Sequence, residues 1–338
     1  MAQKRKGNRL QPAVLTFLVW FLATGWAGAL SAAPIRIGGK TEIILGSVEQ
    51  GRRILCSNDE FIEEMSPFDR SARMGVNRKV SAEEFIQFVG TNVAPWEHDE
   101  RELVENALLS IRAGLESMGF PDLGTITIIK TTGREESDQA YTRDKGVVLP
   151  RSIIRNRKTD LRRLLAHELF HVLSRYRTNL RPTLYAAIGF RYSGTLEFPP
   201  SLSRVTNPDA PGNDHVIGVK VSGEDAIVMP ILFSRSTIPD LRRNSNLFDY
   251  LEFALLRVIE GETADSVRPM IGKDGPVLLA PRQVELFFEQ IGKNTDYIIH
   301  PEEILADNFA LLVLGDEHVR SPEILAKIKS ILLSKEAE

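Results

Sequence analysis

One cysteine, Cys56, stands among 338 residues. A lone thiol cannot close an intrachain disulfide, and it cannot build a cysteine-rich metal site; a free structural thiol is the reading that remains. Cations are not in excess either. Against 42 Lys and Arg there are 45 Asp and Glu, for a formal net charge of -3, which is not the clustered basic footprint of a nucleic-acid binder. No internal repeat, low-complexity tract or calcium-loop motif stands out, so stability has to come from an apolar core. Hydrophobic residues make up 43% and charged residues 26%. That balance excludes wholesale disorder, collagen, coiled coil and a multi-span membrane protein. The length suits roughly two domains of about 150 residues, or one large domain with insertions.

The first 32 residues read as an export signal. Lys4, Arg5, Lys6 and Arg9 open the chain without an acid nearby, an apolar stretch runs from Ala13 to about Leu30, and Ala27-Gly28-Ala29 supplies small residues for cleavage. If cut there, the protein is secreted or periplasmic; left uncut, the same segment would anchor it to a membrane, since its length is near the lower limit for a span. Losing those four cations leaves a more acidic mature chain.

Residues 33–95 are expected to be a region of their own, of unassigned role, ahead of a catalytic domain over 96–338. Glu42–Leu45 suits a short strand. Ser81-Ala82-Glu83-Glu84 reads as a capping box opening a helix. Leu103, Ala107, Leu108, Ile111 and Leu115 recur at helical spacing, so a helix is expected from about Asp99 to Met118, stopped by Gly119 and Pro121. Thr125–Ile129 and Gly146–Pro150 suit strands, and a helix is expected over about 158–175. A proline-rich loop covers 193–214; a loop that long is usually functional or disordered. Strands are expected at His215–Val219 and Ala226–Met229. Leu247–Ile259 fits helix or strand. Helices are expected at about Pro281–Ile291, 301–314 and Ser321–Leu333.

The chemistry lies in His167-Glu168-Leu169-Phe170-His171. On a helix, residues i and i+4 share one face, so both imidazoles can bind one Zn²⁺. Glu168, beside the first ligand, can take a proton from a metal-activated water. A catalytic zinc needs a third protein ligand, and no histidine follows His171 closely. The remaining candidate is His300-Pro301-Glu302-Glu303-Ile304-Leu305-Ala306-Asp307, where Pro301 suits the first helical position. Glu303 and Asp307 are then one turn apart: the first can bind metal while the second accepts an N–H from a ligand histidine. Glu302 is the rival ligand; the i+4 relation to Asp307 favours Glu303.

H-E-x-x-H followed by a remote E-x-x-x-D resembles the gluzincin metallopeptidases. The resemblance covers the two motifs and the strand before the active helix. It implies His167, His171 and Glu303 as zinc ligands, Glu168 as general base and Asp307 as the partner of a ligand histidine. The gap between the motifs is far longer than in thermolysin-like members, which leaves subfamily and substrate open. The family also places an edge strand ahead of the active helix for the substrate backbone, and Gly146–Leu149 matches that position. The fold implied is α+β and zincin-like: a small sheet on the active helix and a mostly helical C-terminal lobe carrying Glu303.

An oxyanion donor is also needed. His300 and His215 rank first, ahead of Tyr297 and Tyr141, while His98 and His318 lie in polar stretches and should be solvated. The expected function is hydrolysis of peptide bonds in a peptide or protein substrate, with Zn²⁺ as cofactor and no nucleic-acid partner. The alternative is a catalytically silent envelope scaffold that keeps zinc as a structural element.

Overall fold

The computed structural model describes residues 33–240, 246–261, 263, 266–316 and 318–334. The proposed signal segment lies outside these residues. Among them, no helix is long and apolar enough to cross a membrane.

The first strands are β1 (Ile35–Ile37) and β2 (Thr41–Leu45). Four helices follow: α1 (Val48–Leu55), α2 (Glu60–Glu64), α3 (Pro67–Met74) and α4 (Ala82–Asn92). Each begins on a polar cap: Ser47, Asp59, Ser66 and Ser81 accept a backbone N–H of the first turn. At α4 the expected box is half formed, because the Glu84 carboxylate turns away to Arg78. Next come α5 (His98–Ser117), β3 (Thr125–Thr131), β4 (Tyr141–Arg143), β5 (Gly146–Pro150), α6 (Arg151–Arg155) and α7 (Leu161–Tyr176).

Five strands form one sheet in the order β1-β2-β3-β5-β4; β2, β3 and β5 run parallel, and the outer strands are antiparallel. The central strands alternate between two apolar layers. Ile126, Ile128, Val147 and Leu149 enter a core with Leu108 and Ile111 of α5 and Leu165 and Leu169 of α7. Ile129, Val148 and Tyr141 face Leu55, Phe61, Phe85 and Val89 on the other side. Parallel strands are stable when both faces are covered, and each such aliphatic side chain contributes about 1.5–3 kcal/mol on burial. The region before residue 96 is therefore built into the same sheet as the strands that precede α7, and the described residues from Ala33 onward belong to one compact unit.

After α8 (Arg181–Ala187) the chain departs from the expected helical C-terminal lobe. It forms β6 (Phe190–Tyr192), β7 (Thr195–Leu196), β8 (Ser203–Arg204), β9 (His215–Val221), β10 (Glu224–Ser234), β11 (Glu252–Glu260), β12 (Ser266–Pro269), β13 (Ile271–Gly272), β14 (Gly275–Pro276) and β15 (Leu278–Leu279). All but β13 and β14 join a second sheet, ordered β6-β9-β10-β11-β12-β7, with β15 on β11 and β8 on β10. Alternation again serves two layers: Ile217, Val228 and Leu255 enter the main core, and Val216, Met229 and Leu256 a separate one. The ambiguous stretch Leu247–Ile259 resolves into a single helical turn and then strand β11, because its apolar residues pair with β10. The proline-rich loop holds the short strands β7 and β8.

The expected helix from Pro281 shrinks to a 3₁₀ turn and α9 (Phe287–Ile291). Glu285 exchanges two backbone hydrogen bonds with Lys220, and Leu286 takes φ 69°; both are incompatible with a continuing helix. Two helices close the chain: α10 (Pro301–Leu314) and α11 (Pro322–Leu332). The class is mixed α and β.

One further expectation is corrected. Gly146–Leu149 is not an edge: β5 lies between β3 and β4, and β4 is the outer strand on that side. The apolar run Val147-Val148-Leu149 is buried on both faces, which suits an interior position.

Candidate metal centre

Two buried helices carry the site. α7 starts on Asp160, whose carboxylate accepts the Arg162 N–H, and packs Leu165, Leu169 and Val172 into the core. Its inward face holds His167, Glu168 and His171. α10 is held against α7 by Leu305 and Phe309, with Phe170 and Phe309 rings 5.4 Å apart. Its first two turns bring Glu302, Glu303 and Asp307 to the two histidines.

The ring contacts are specific. His167 Nδ1 lies 3.1 Å from Asp307 Oδ1, and its Nε2 3.1 Å from Glu303 Oε2. His171 Nδ1 lies 3.3 Å from Glu302 Oε1, and its Nε2 3.5 Å from Glu303 Oε2 without making a hydrogen bond. A carboxylate only accepts, so Asp307 and Glu302 each hold the proton of their histidine on Nδ1. Both Nε2 atoms then face Glu303. Asp307 also accepts from Thr295 Oγ1. Glu302 is fixed by Ser174 Oγ at 2.9 Å and Tyr185 OH at 2.6 Å.

His167, His171 and Glu303 each offer a ligand atom within 4.8 Å of the others. His171 and Glu303 are each 1% exposed. Buried polar atoms are rarely left without partners, yet His171 Nε2 and Glu168 Oε2 have none. A divalent ion at this point would satisfy the imidazole and offset the surplus of carboxylates. The electrostatics agree in sign. Burial alone would lower the pKa of His167, but hydrogen bonds to Asp307 and Glu303 hold it at about 9. Burial raises the Glu303 carboxyl, yet the two imidazoles hold it well below its ordinary value. The cluster favours positive charge between these side chains, and two nitrogens with one carboxylate oxygen is a donor set that suits Zn²⁺.

Glu168 is 3% exposed and lines a cavity of about 310 Å³ with His167, Tyr297, Glu303, Asp307 and Asp209. Burial, reinforced by the Asp209 carboxylate, pushes its pKa up to about 8, which suits a proton carrier near neutral pH.

The structure separates the expected oxyanion donors. Tyr297 lines the cavity beside Glu168, with its ring 6.3 Å from that of His167. His300 and His215 line a different cavity, of about 740 Å³. His300 caps α10: its Nδ1 accepts the Glu302 N–H at 3.1 Å, and burial lowers its pKa to about 4, which keeps that nitrogen an acceptor. His215 pairs with Asp214 at 2.6 Å and packs edge-on against Tyr185. Tyr141 faces the opposite side of the sheet.

Two residues near the centre escape the sequence reading, and the role of a third differs from it. Glu302 was a rival ligand rather than the partner of His171. Asn207, whose Nδ2 donates to Glu303 Oε1 at 2.6 Å, and Asp209 both come from the proline-rich loop. The length of that loop was the available signal. No family model matches this chain, and no curated protein or solved structure matches it.

Proposed function

We propose that this chain is an exported, zinc-dependent metallopeptidase with a zincin-like fold of the gluzincin type. One observation carries the reading: both histidines of H-E-x-x-H have Nδ1 on a carboxylate and Nε2 turned to the same Glu303, beside an unpartnered, buried Glu168 Oε2. His167, His171 and Glu303 would hold the ion. When bound, zinc supplies Lewis acidity to an attacking water and to the carbonyl under attack.

The protein's own groups do the rest. With zinc bound in place of the His167 Nε2 proton, Asp307 and Glu302 would keep each ring proton on Nδ1 and leave each Nε2 lone pair to the ion. Glu168 accepts a proton from the attacking water at Oε2 and returns it to the leaving amine, a role for which a raised pKa is suited. The Tyr297 hydroxyl is the donor beside the cavity for the developing oxyanion. The signal pattern in residues 1–32 supports export.

The test joins metal analysis to hydrolysis of a mixed fluorogenic peptide library. Wild type should bind one zinc and cleave at a measurable basal rate. Glu168→Gln should keep the zinc and lose turnover by at least about 10³-fold. An active Glu168→Gln variant would refute the mechanism. Stoichiometric zinc with no cleavage by wild type or by any variant at Asp209 would favour the scaffold.

A further inference from the structure

Residues 206–212 lie across the site. Thr206 is anchored: its N–H donates to Asp69 Oδ2 at 2.8 Å, and its carbonyl accepts from Arg73 Nη2 at 2.6 Å. Asn207 Nδ2 donates to Glu303 Oε1. Asn207 Oδ1 accepts the Asp209 N–H at 3.1 Å, and Arg175 Nη2 donates to the Asp209 carbonyl at 3.2 Å. At the far end, the Asp214 and Asn213 carbonyls accept from Ser193 and Leu196. The segment is a strap tied at both ends.

Asp209 sits at its middle and does two things. Its Oδ1 accepts both the Thr142 N–H at 2.6 Å and the Thr142 hydroxyl at 2.9 Å. Thr142 is the central residue of β4, the outer strand, so the strap takes the edge N–H that an extended peptide would otherwise use to add itself to this sheet. The same carboxylate offers a ligand atom within 4.8 Å of those of Glu168 and His171, a second group that shares His171 with the first and approaches the metal position from that side. Both Thr142 bonds end on Oδ1, which leaves Oδ2 for a cation. Two of the buried atoms without partners among the described residues, Glu168 Oε2 and His171 Nε2, belong to the residues grouped with Asp209. The strap also stands between two cavities: Asp209 lines both the 310 Å³ space beside His167 and the 740 Å³ space beside His215.

We propose that Asp209 is a further ligand at the metal position, and that the strap Thr206–Gly212 holds the site latent by filling both the open coordination position and the peptide-binding edge of β4. The inference rests on the zinc-site reading above. Activity then requires the strap to leave, by displacement or cleavage, which would join the two cavities into one groove along β4.

The experiment uses the full chain loaded with Co²⁺, a spectroscopic stand-in for zinc. Two variants are compared with wild type: Asp209→Ala, and Asp209→Asn, which keeps an acceptor for Thr142 and so controls for folding. Both should change the visible Co²⁺ absorption, weaken metal binding in chelator competition by about tenfold or more, and raise peptide hydrolysis by about tenfold or more as the competent fraction grows. Unchanged Co²⁺ spectra and affinities, or hydrolysis that fails to rise in both variants, would overturn the proposal while leaving the zinc site standing. Absence of metal from wild type and from His171→Ala alike would remove the zinc site, and the strap's role with it.

Discussion

Glu302 offers the sharpest test of how the centre is built. Its carboxylate accepts from His171 on Oε1 and from Ser174 and Tyr185 on Oε2. Glu302→Gln keeps the shape and removes the charge. If the new amide NH₂ faces His171, Nδ1 must accept, the ring proton moves to Nε2, and the lone pair facing Glu303 is lost. If the NH₂ faces Tyr185 and Ser174 instead, their hydroxyls must turn to accept, and His171 keeps only a neutral acceptor. Either arrangement weakens His171 as a ligand. Loss of such a partner typically costs 10–100-fold in metal affinity, about 1.4–2.7 kcal/mol. The assay is competition for Zn²⁺ against a chromogenic chelator, with thermal melts as a folding control. Tyr185→Phe, which keeps the carboxylate, should cost far less. Wild-type affinity in Glu302→Gln would refute the tautomer argument. A larger loss in Glu302→Gln than in Glu303→Gln would reverse the assignment and make Glu302 the ligand.

Three other outcomes follow from particular contacts. A Cβ on Gly114 of α5 would lie 2.0 Å from the Val313 carbonyl oxygen of α10, so Gly114→Ala should destabilise by about 3 kcal/mol or more, because backbone has to move; a melting temperature equal to wild type would show that the helices separate freely. Burial raises the Glu100 carboxyl, but hydrogen bonds from Lys130 and Arg155 outweigh it and hold it at about 2. Its stabilisation is thus complete above the ordinary 4.5 and is lost as pH falls through about 2. Glu100→Gln should accordingly melt below wild type at pH 7 and converge with it near pH 2; parallel curves across that window would contradict the assignment. Tyr297→Phe should lower kcat by about 10²-fold with metal content unchanged, and an unchanged kcat would exclude it as the oxyanion donor.

Helices α4, α5, α7, α10 and α11 were legible because their signals are local, whereas the shorter α1, α2, α3, α6 and α8 were not anticipated. Pro301 opens α10, and α7 carries an i, i+4 pair whose geometry any helix enforces. The pairing of Glu303 with Asp307 across one turn belongs to the same class of inference. The strand at Gly146–Pro150 was legible as a strand, but its neighbours were not, since periodicity records which faces are buried and carries no information on sheet order. In the second sheet β9 and β10 were legible as strands, but the shorter strands around them were missed for a related reason. Its strands gain their hydrogen bonds from partners far along the chain, as β12 does from β7.

Local sequence thus determined the longer helices of this protein and the side chains that one helix turn brings together: His167 with His171, and Glu303 with Asp307. Tertiary structure alone decided that Glu302 serves His171, that β4 rather than β5 forms the rim, and that Asp209 reaches the centre. Each of these depends on how separate elements cross, and that crossing is set by core packing between residues distant in sequence.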